Sequence, residues 1–121
     1  MYVILADDDL DVRQALICLL QDECDLQLAT ETKNADELLR SLTGTCPDLV
    51  LLDWELPGID GCDLLAQIHE ICPTVKVIAL SAYPEACEEA ASAGIQWFVS
   101  KGDPPERLLA VIHSLRTTNA I

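Results

Sequence analysis

The stretch Leu49-Val50-Leu51-Leu52-Asp53-Trp54-Glu55-Leu56-Pro57-Gly58-Ile59-Asp60-Gly61 decides the fold. Its four aliphatic residues run without a polar interruption, so they read as a strand buried on both faces; a half-exposed strand would alternate. Asp53 stands where that strand leaves the core, and a Pro-Gly turn follows. In open α/β sheets the carboxyl ends of the strands form the rim where ligands bind. An isolated buried carboxylate is costly, so Asp53 needs solvent, a partner or a metal ion.

Working outward, the same pattern repeats. Tyr2–Ala6 is a short apolar strand stopped by Asp7-Asp8-Asp9. A helix follows with Val12, Ala15, Leu16, Leu19 and Leu20 on one face, Asp9 as its cap and Asp11 at the positive end of its dipole. Residues 26–30 alternate and read as an edge strand, with Glu31-Thr32 beyond its end. Residues 34–43 form a second helix that turns Ala35, Leu38, Leu39 and Leu42 inward and stops at Gly44. Asp60 caps a third helix carrying Leu64, Leu65, Ile68 and Ile71 and closed before Pro73. Residues 75–80 are a fourth strand ending in Ser81. Pro84 suits the first turn of a helix over 85–93 whose only apolar contacts are Ala86, Cys87, Ala90 and Ala91, which makes it the least anchored element. Residues 96–100 are a fifth strand ending at Lys101. A last helix opens at Asp103-Pro104-Pro105-Glu106 and buries Leu108, Leu109, Val111, Ile112 and Leu115. Alternating strands and helices with right-handed crossovers predict one doubly wound α/β domain over 1–121, a five-stranded parallel sheet in flavodoxin-like order 2-1-3-4-5 with helices on both faces.

Composition excludes several functions. With 121 residues, half of them hydrophobic, the chain suits a single folded domain. Seven Lys and Arg against 21 Asp and Glu give a formal charge of −14, a surface that repels nucleic-acid phosphates. No apolar run approaches the roughly 18 residues of a membrane span. The acidic start lacks the basic region of a signal peptide, so a cytoplasmic chain with reduced thiols is expected. Six cysteines show no Cys-x-x-Cys pair and no zinc-ligand spacing with His69 or His113. Cys18, Cys62 and Cys87 read as small core residues. Trp54 and Trp97 read as packing residues, and both histidines lie on helices away from the rim.

The strand ends bring Asp7, Asp8, Asp53, Ser81 and Lys101 to one rim. Close carboxylates repel unless a cation sits among them. Lys101 offers one charge and a hard divalent ion two; an all-oxygen donor set points to Mg²⁺ or Mn²⁺. Asp53 is placed to attack a phosphoryl group and become an acyl phosphate, with the cations neutralising the phosphoryl oxygens and Ser81 donating a hydrogen bond to one.

In order and spacing these residues resemble the receiver domain of two-component response regulators: an acidic pair after strand one (Asp7, Asp8), the phosphoacceptor after strand three (Asp53), a hydroxyl after strand four (Ser81) and a lysine after strand five (Lys101). Leu56-Pro57-Gly58-Ile59-Asp60-Gly61 is similar to the turn that follows the phosphoacceptor. The resemblance implies a sensor histidine kinase as phosphodonor. It further implies Mg²⁺ held by Asp8, Asp53 and the backbone carbonyl of Glu55, with Asp7 acting through water. The implied switch pairs Ser81 with Phe98 and alters the face made by helix four, strand five and helix five. A homodimer on phosphorylation and control of transcription are further implications. The run Ser100-Lys101-Gly102-Asp103-Pro104-Pro105 resembles receivers joined to helix-turn-helix domains, and whether this receiver stands alone or is part of a longer protein stays open.

Two departures stand out. Gly102 follows the lysine where many family members have a cis proline, so a trans bond and a looser loop are expected. Phe98 lacks the hydroxyl of the Tyr often found there. Two other readings compete: a Mg²⁺-dependent phosphatase with Asp53 as nucleophile, and a pseudo-receiver that acts as an unphosphorylated interaction module. The phosphatase reading is weakened by Glu55, where such enzymes usually place a second Asp.

Overall fold

The computed structural model describes residues 1–119. Five strands, β1 (Tyr2–Ala6), β2 (Gln27–Thr32), β3 (Leu49–Asp53), β4 (Lys76–Ser81) and β5 (Trp97–Ser100), alternate with five helices, α1 (Leu10–Gln21), α2 (Ala35–Gly44), α3 (Gly61–Ile71), α4 (Ala86–Ala93) and α5 (Pro105–Asn119). All strand pairs are parallel and the order is β2-β1-β3-β4-β5, as the alternation predicts.

Side chains alternate across each strand, so the sheet feeds two cores. Ile4, Val50, Leu52, Val77 and Ala79 meet Leu38 and Leu42 of α2, Leu64 and Ile68 of α3 and Ala90 of α4. On the other face Val3, Leu5, Leu49, Leu51, Ile78 and Val99 meet Leu20 of α1 and Leu108, Ile112 and Leu115 of α5. This two-sided cover is why Leu49 to Leu52 carry no polar residue: none is more than 1% exposed.

The helix starts follow from their caps. The Asp9 carboxylate accepts from Asp11 N and Val12 N, Asn34 from Glu37 N, and Asp60 from Cys62 N. Gly94 ends α4 in the left-handed conformation at φ 109°, which a side chain would strain. α4 buries only Ala90, with Ala86 and Ala93 partly covered, and it is the lightly anchored helix expected.

Several expectations are corrected. β2 extends to Thr32, because Thr32 Oγ1 donates to Leu5 O and Asp7 N donates to Thr32 O. Glu31-Thr32 therefore belongs to the strand and not to a loop beyond it. α4 begins at Ala86; Pro84 lies in the preceding turn, where Cys87 N donates to its carbonyl. Ala15 is exposed and Val12, Leu16 and Leu19 are only half-buried, because this side of α1 lines an open groove facing Pro104, Pro105 and Leu108. The cysteines divide differently from the expectation. Cys18 and Cys87 are exposed and Cys62 is half-buried, while Cys72 is in the core. Cys46 and Cys72 are joined by a disulfide, against the expectation of reduced thiols throughout.

Candidate functional site

β1 and β3 end side by side and deliver their carboxylates to one point. One oxygen each from Asp7, Asp8 and Asp53 lies within 4.8 Å of the others. Asp7 and Asp53 are buried, at 1% and 3% exposure, whereas Asp8 faces solvent. Each buried carboxylate is oriented by the turn it starts: Asp7 Oδ1 accepts from Asp9 N at 2.9 Å and Asp53 Oδ1 from Glu55 N at 3.0 Å. The Lys101 ammonium reaches across from the end of β5, 2.8 Å from Asp7 Oδ2 and 3.4 Å from Asp53 Oδ1. Lys101 is placed by its own backbone, whose N–H donates to Ser81 O at 2.7 Å.

Burial, and then the neighbouring Asp7 charge, push the Asp53 carboxyl from 3.8 up to about 6; the Glu55 N–H and the Lys101 ammonium pull the other way and do not prevail. Burial alone would lower Lys101. Its contact with Asp7 and the charges of Asp53 and Asp7 outweigh that and hold it above the ordinary lysine value. Asp7 Oδ2 has no well-aligned hydrogen bond despite being buried, and Lys101 is its charge partner. One ammonium thus meets two of the three clustered carboxylates, leaving negative charge in excess. A hard cation with a preference for oxygen fits this donor set, and Asp8, open to water, gives it an entry.

Ser81, the last residue of β4, is fully buried, and its hydroxyl is already engaged. It donates to the Glu55 carboxylate, 2.9 and 2.8 Å from Oε1 and Oε2, and accepts from Tyr83 N at 3.0 Å. The Glu55 side chain, exposed in the loop after β3, is thus the present partner of Ser81. Nothing in the spacing announced this pair, since it joins the loop after β3 to the end of β4. Phe98 on β5 is half-buried against the α3–α4 core, away from the carboxylates.

Arg13 escaped the sequence, as did the bond that Trp54 adds to the packing role read for it. Arg13 Nη1 donates to Asp7 O at 2.7 Å while its Nε pairs with Glu31 at 3.2 Å, fastening α1 and β2 to the rim. A lone arginine one turn into an acidic helix start was the available signal. Trp54, next to Asp53, is buried and donates from Nε1 to Glu89 of α4 at 2.9 Å. Its ring lies on Gly61, where an added Cβ would come within 2.8 Å of it. The Lys101–Gly102 bond is trans, as expected, and no cis peptide occurs among the described residues. The turn after it is closed by Asp103 N to Ser100 O and by Asp103 Oδ2 accepting from Ser100 N.

No helix among the described residues is long and apolar enough to cross a membrane. The family model "Response regulator receiver domain" matches residues 3–113. Over 115 residues the chain is 35% identical to the transcriptional regulatory protein UhpA of Salmonella typhimurium, covering 95% of this chain and 58% of that one. It is 36% identical over 101 residues to the Fimbriae Z protein of Escherichia coli, covering 82% and 48%. The chain therefore spans about half the length of these curated relatives. Among solved structures, a LuxR-family DNA-binding response regulator from Staphylococcus aureus superposes with a TM-score of 0.83 at 28% identity, covering 93% of this chain and 96% of that one. Fold, rim and relatives agree that this chain belongs to the receiver-domain family of two-component response regulators, with transcriptional regulators among its relatives.

Proposed function

We propose that residues 1–121 form one receiver unit that works in the cytoplasm as a phosphorylation-dependent switch, with Asp53 as phosphoacceptor and a sensor histidine kinase as donor. An Asp53 carboxylate oxygen forms the new O–P bond as the N–P bond of a phosphohistidine breaks; the imidazole leaves with the electron pair and takes up a proton. Asp7, Asp8, Asp53 and the backbone carbonyl of Glu55 would hold Mg²⁺, or Mn²⁺ in its place. When bound, that ion supplies charge neutralisation for the phosphoryl oxygens. Lys101 pairs with a phosphoryl oxygen, having Asp53 Oδ1 already within 3.4 Å.

Phosphorylation adds acceptor oxygens beside Ser81. Its hydroxyl then exchanges the Glu55 carboxylate for a phosphoryl oxygen, Phe98 turns inward, and lightly anchored α4 repacks. The face of α4, β5 and α5 changes its affinity for a partner or for a second copy of the chain. The domain modifies itself and turns over no outside substrate. Where it is joined to an output domain, as its relatives' lengths suggest, the output is control of transcription.

The observation that carries this reading is the convergence of three carboxylates and one ammonium on the tip of β3, at a folding cost that burial of Asp53 makes visible. Intact mass after acetyl phosphate with Mg²⁺ tests it. Wild type gains one phosphoryl group, and Asp53→Asn and metal-free wild type gain none. Equal uptake by Asp53→Asn, or steady turnover of a generic phosphate ester, would sink it.

A further inference from the structure

The disulfide joins two points at the rim opposite Asp53. Cys46 lies in the loop before β3 and Cys72 caps the end of α3, 26 positions later, with Cα atoms 5.8 Å apart. The closed loop therefore contains all of β3, Asp53 and the whole of α3.

The two sulfurs are unequal: Cys46 is exposed and Cys72 is 1% exposed. Both backbones are pinned independently of the bond. Just after Cys46, Asp48 N donates to Tyr2 O and its carbonyl accepts from Lys76 N. Cys72 N donates to Ile68 O and its carbonyl accepts from Val75 N. These hydrogen bonds hold the segments that carry the two cysteines without calling on the bridge. In the bonded form each sulfur also lies near a carbonyl, Ile71 O at 3.8 Å from that of Cys46 and Leu42 O at 3.9 Å from that of Cys72.

We infer that Cys46 and Cys72 form a reversible thiol–disulfide exchange site for low-molecular-weight thiols and disulfides, entered through Cys46. Closing runs as follows. The Cys46 thiolate attacks a glutathione disulfide and forms a mixed disulfide as one glutathione thiolate leaves. The Cys72 thiolate then attacks the Cys46 sulfur, and the second glutathione leaves. The protein pair is oxidised by two electrons, the glutathione disulfide is reduced, and the two cysteine protons pass to solvent or to the departing thiolates. Opening is the reverse, with the external thiolate striking the exposed Cys46 sulfur. The other described thiols differ in kind: Cys18, Cys24, Cys62 and Cys87 are free, so any glutathione they take up stays as a single adduct and closes no bridge.

The test equilibrates the full chain in glutathione buffers from fully reduced to strongly oxidised, quenches with acid, and counts maleimide adducts on the denatured protein by intact mass. Six cysteines and one closable pair predict six adducts under reducing conditions, whereas under oxidising ones maleimide and glutathione adducts together number four. Peptide mapping should then show residue 46 bonded to residue 72. Cys46→Ser should give five adducts at every ratio, maleimide and glutathione counted together. In Cys72→Ala, confirmed folded by circular dichroism, peptide mapping should find glutathione trapped on Cys46, which in wild type carries none once the bridge has closed. Closing a loop of this length should favour the folded state by a few hundred-fold in the unfolding equilibrium constant, read by urea titration of the two forms. Six adducts at every ratio, four that persist in reduced glutathione, or a bridge between other cysteines would each overturn the inference.

Discussion

Replacing Asp53 with Asn should stabilise the protein, by an amount that depends on pH. In the folded state the carboxyl sits at about 6 against 3.8 ordinarily. Between those two values the folded chain keeps a proton that the unfolded chain has lost, so stability falls as pH rises through this window. At about 1.4 kcal/mol for each pH unit between the two values, ionised Asp53 costs the fold about 3 kcal/mol by pH 7.5. The amide of the Asp53→Asn variant never carries that charge and can still accept from Glu55 N. The stability difference between variant and wild type should therefore be near its minimum at about pH 4 and grow to about 3 kcal/mol above pH 7, or roughly 10 °C in Tm for a domain of this size. Urea titrations in EDTA, followed by circular dichroism at several pH values, give the difference directly, and titrating groups remote from Asp53 cancel in the subtraction. Millimolar Mg²⁺ at pH 7.5 should recover stability in wild type and much less in the variant, because the ion's preference for the ionised site adds to the fold. A difference curve that stays flat from about pH 4.5 to about pH 7.5 would refute the electrostatic account of this rim.

Further expectations follow from single contacts. Gly61→Ala should cost about 1–3 kcal/mol, because its Cβ would come within 2.8 Å of the Trp54 ring and force the indole to shift; denaturant titration with tryptophan fluorescence reads both effects. Glu89→Ala removes the partner of the part-buried Trp54 N–H and should cost about 0.5–1.5 kcal/mol, with faster amide exchange in α4. Lys101→Met should raise the Asp53 carboxyl above its present value of about 6, measurable by carbon-detected NMR titration, because the cation that opposes burial and Asp7 is gone. Glu55→Ala frees the Ser81 hydroxyl; in the proposed reading, its acyl phosphate should persist for a different time from that of wild type, and an unchanged lifetime would remove Glu55 from the switch.

The fold was legible because β3 has cover on both faces and its neighbours repeat the strand-then-helix alternation with caps at Asp9, Asn34 and Asp60. The rim residues were legible for the same reason: in a parallel sheet, strand ends converge, so Asp7, Asp53, Ser81 and Lys101 could be placed together without knowing one distance. Contacts between loops were not legible. The Ser81–Glu55 pair, the Trp54–Glu89 bond and the Cys46–Cys72 bridge each join segments whose approach depends on the twist and register of the sheet, which periodicity does not carry. Burial of α1 was overestimated because a correct apolar stripe says which side faces inward and not how far the opposing helix closes over it.

The two residues after Asp53 suggest why a change at the tip of β3 would be felt at α4 and less elsewhere. Trp54 spans the distance through its indole to Glu89, and Glu55 does so through Ser81 to the backbone of Tyr83, three residues before α4 begins. α2 is held by buried Leu38 and Leu42 and α3 by buried Leu64, Leu65 and Ile68, so the same displacement meets a stiffer wall there. α4 sets one buried alanine and two partly covered ones against it. A displacement too small to move a well-packed helix can therefore shift this one. Under the proposed function, then, the direction of the signal is set less by where charge is added than by which neighbouring element has the least apolar area to lose.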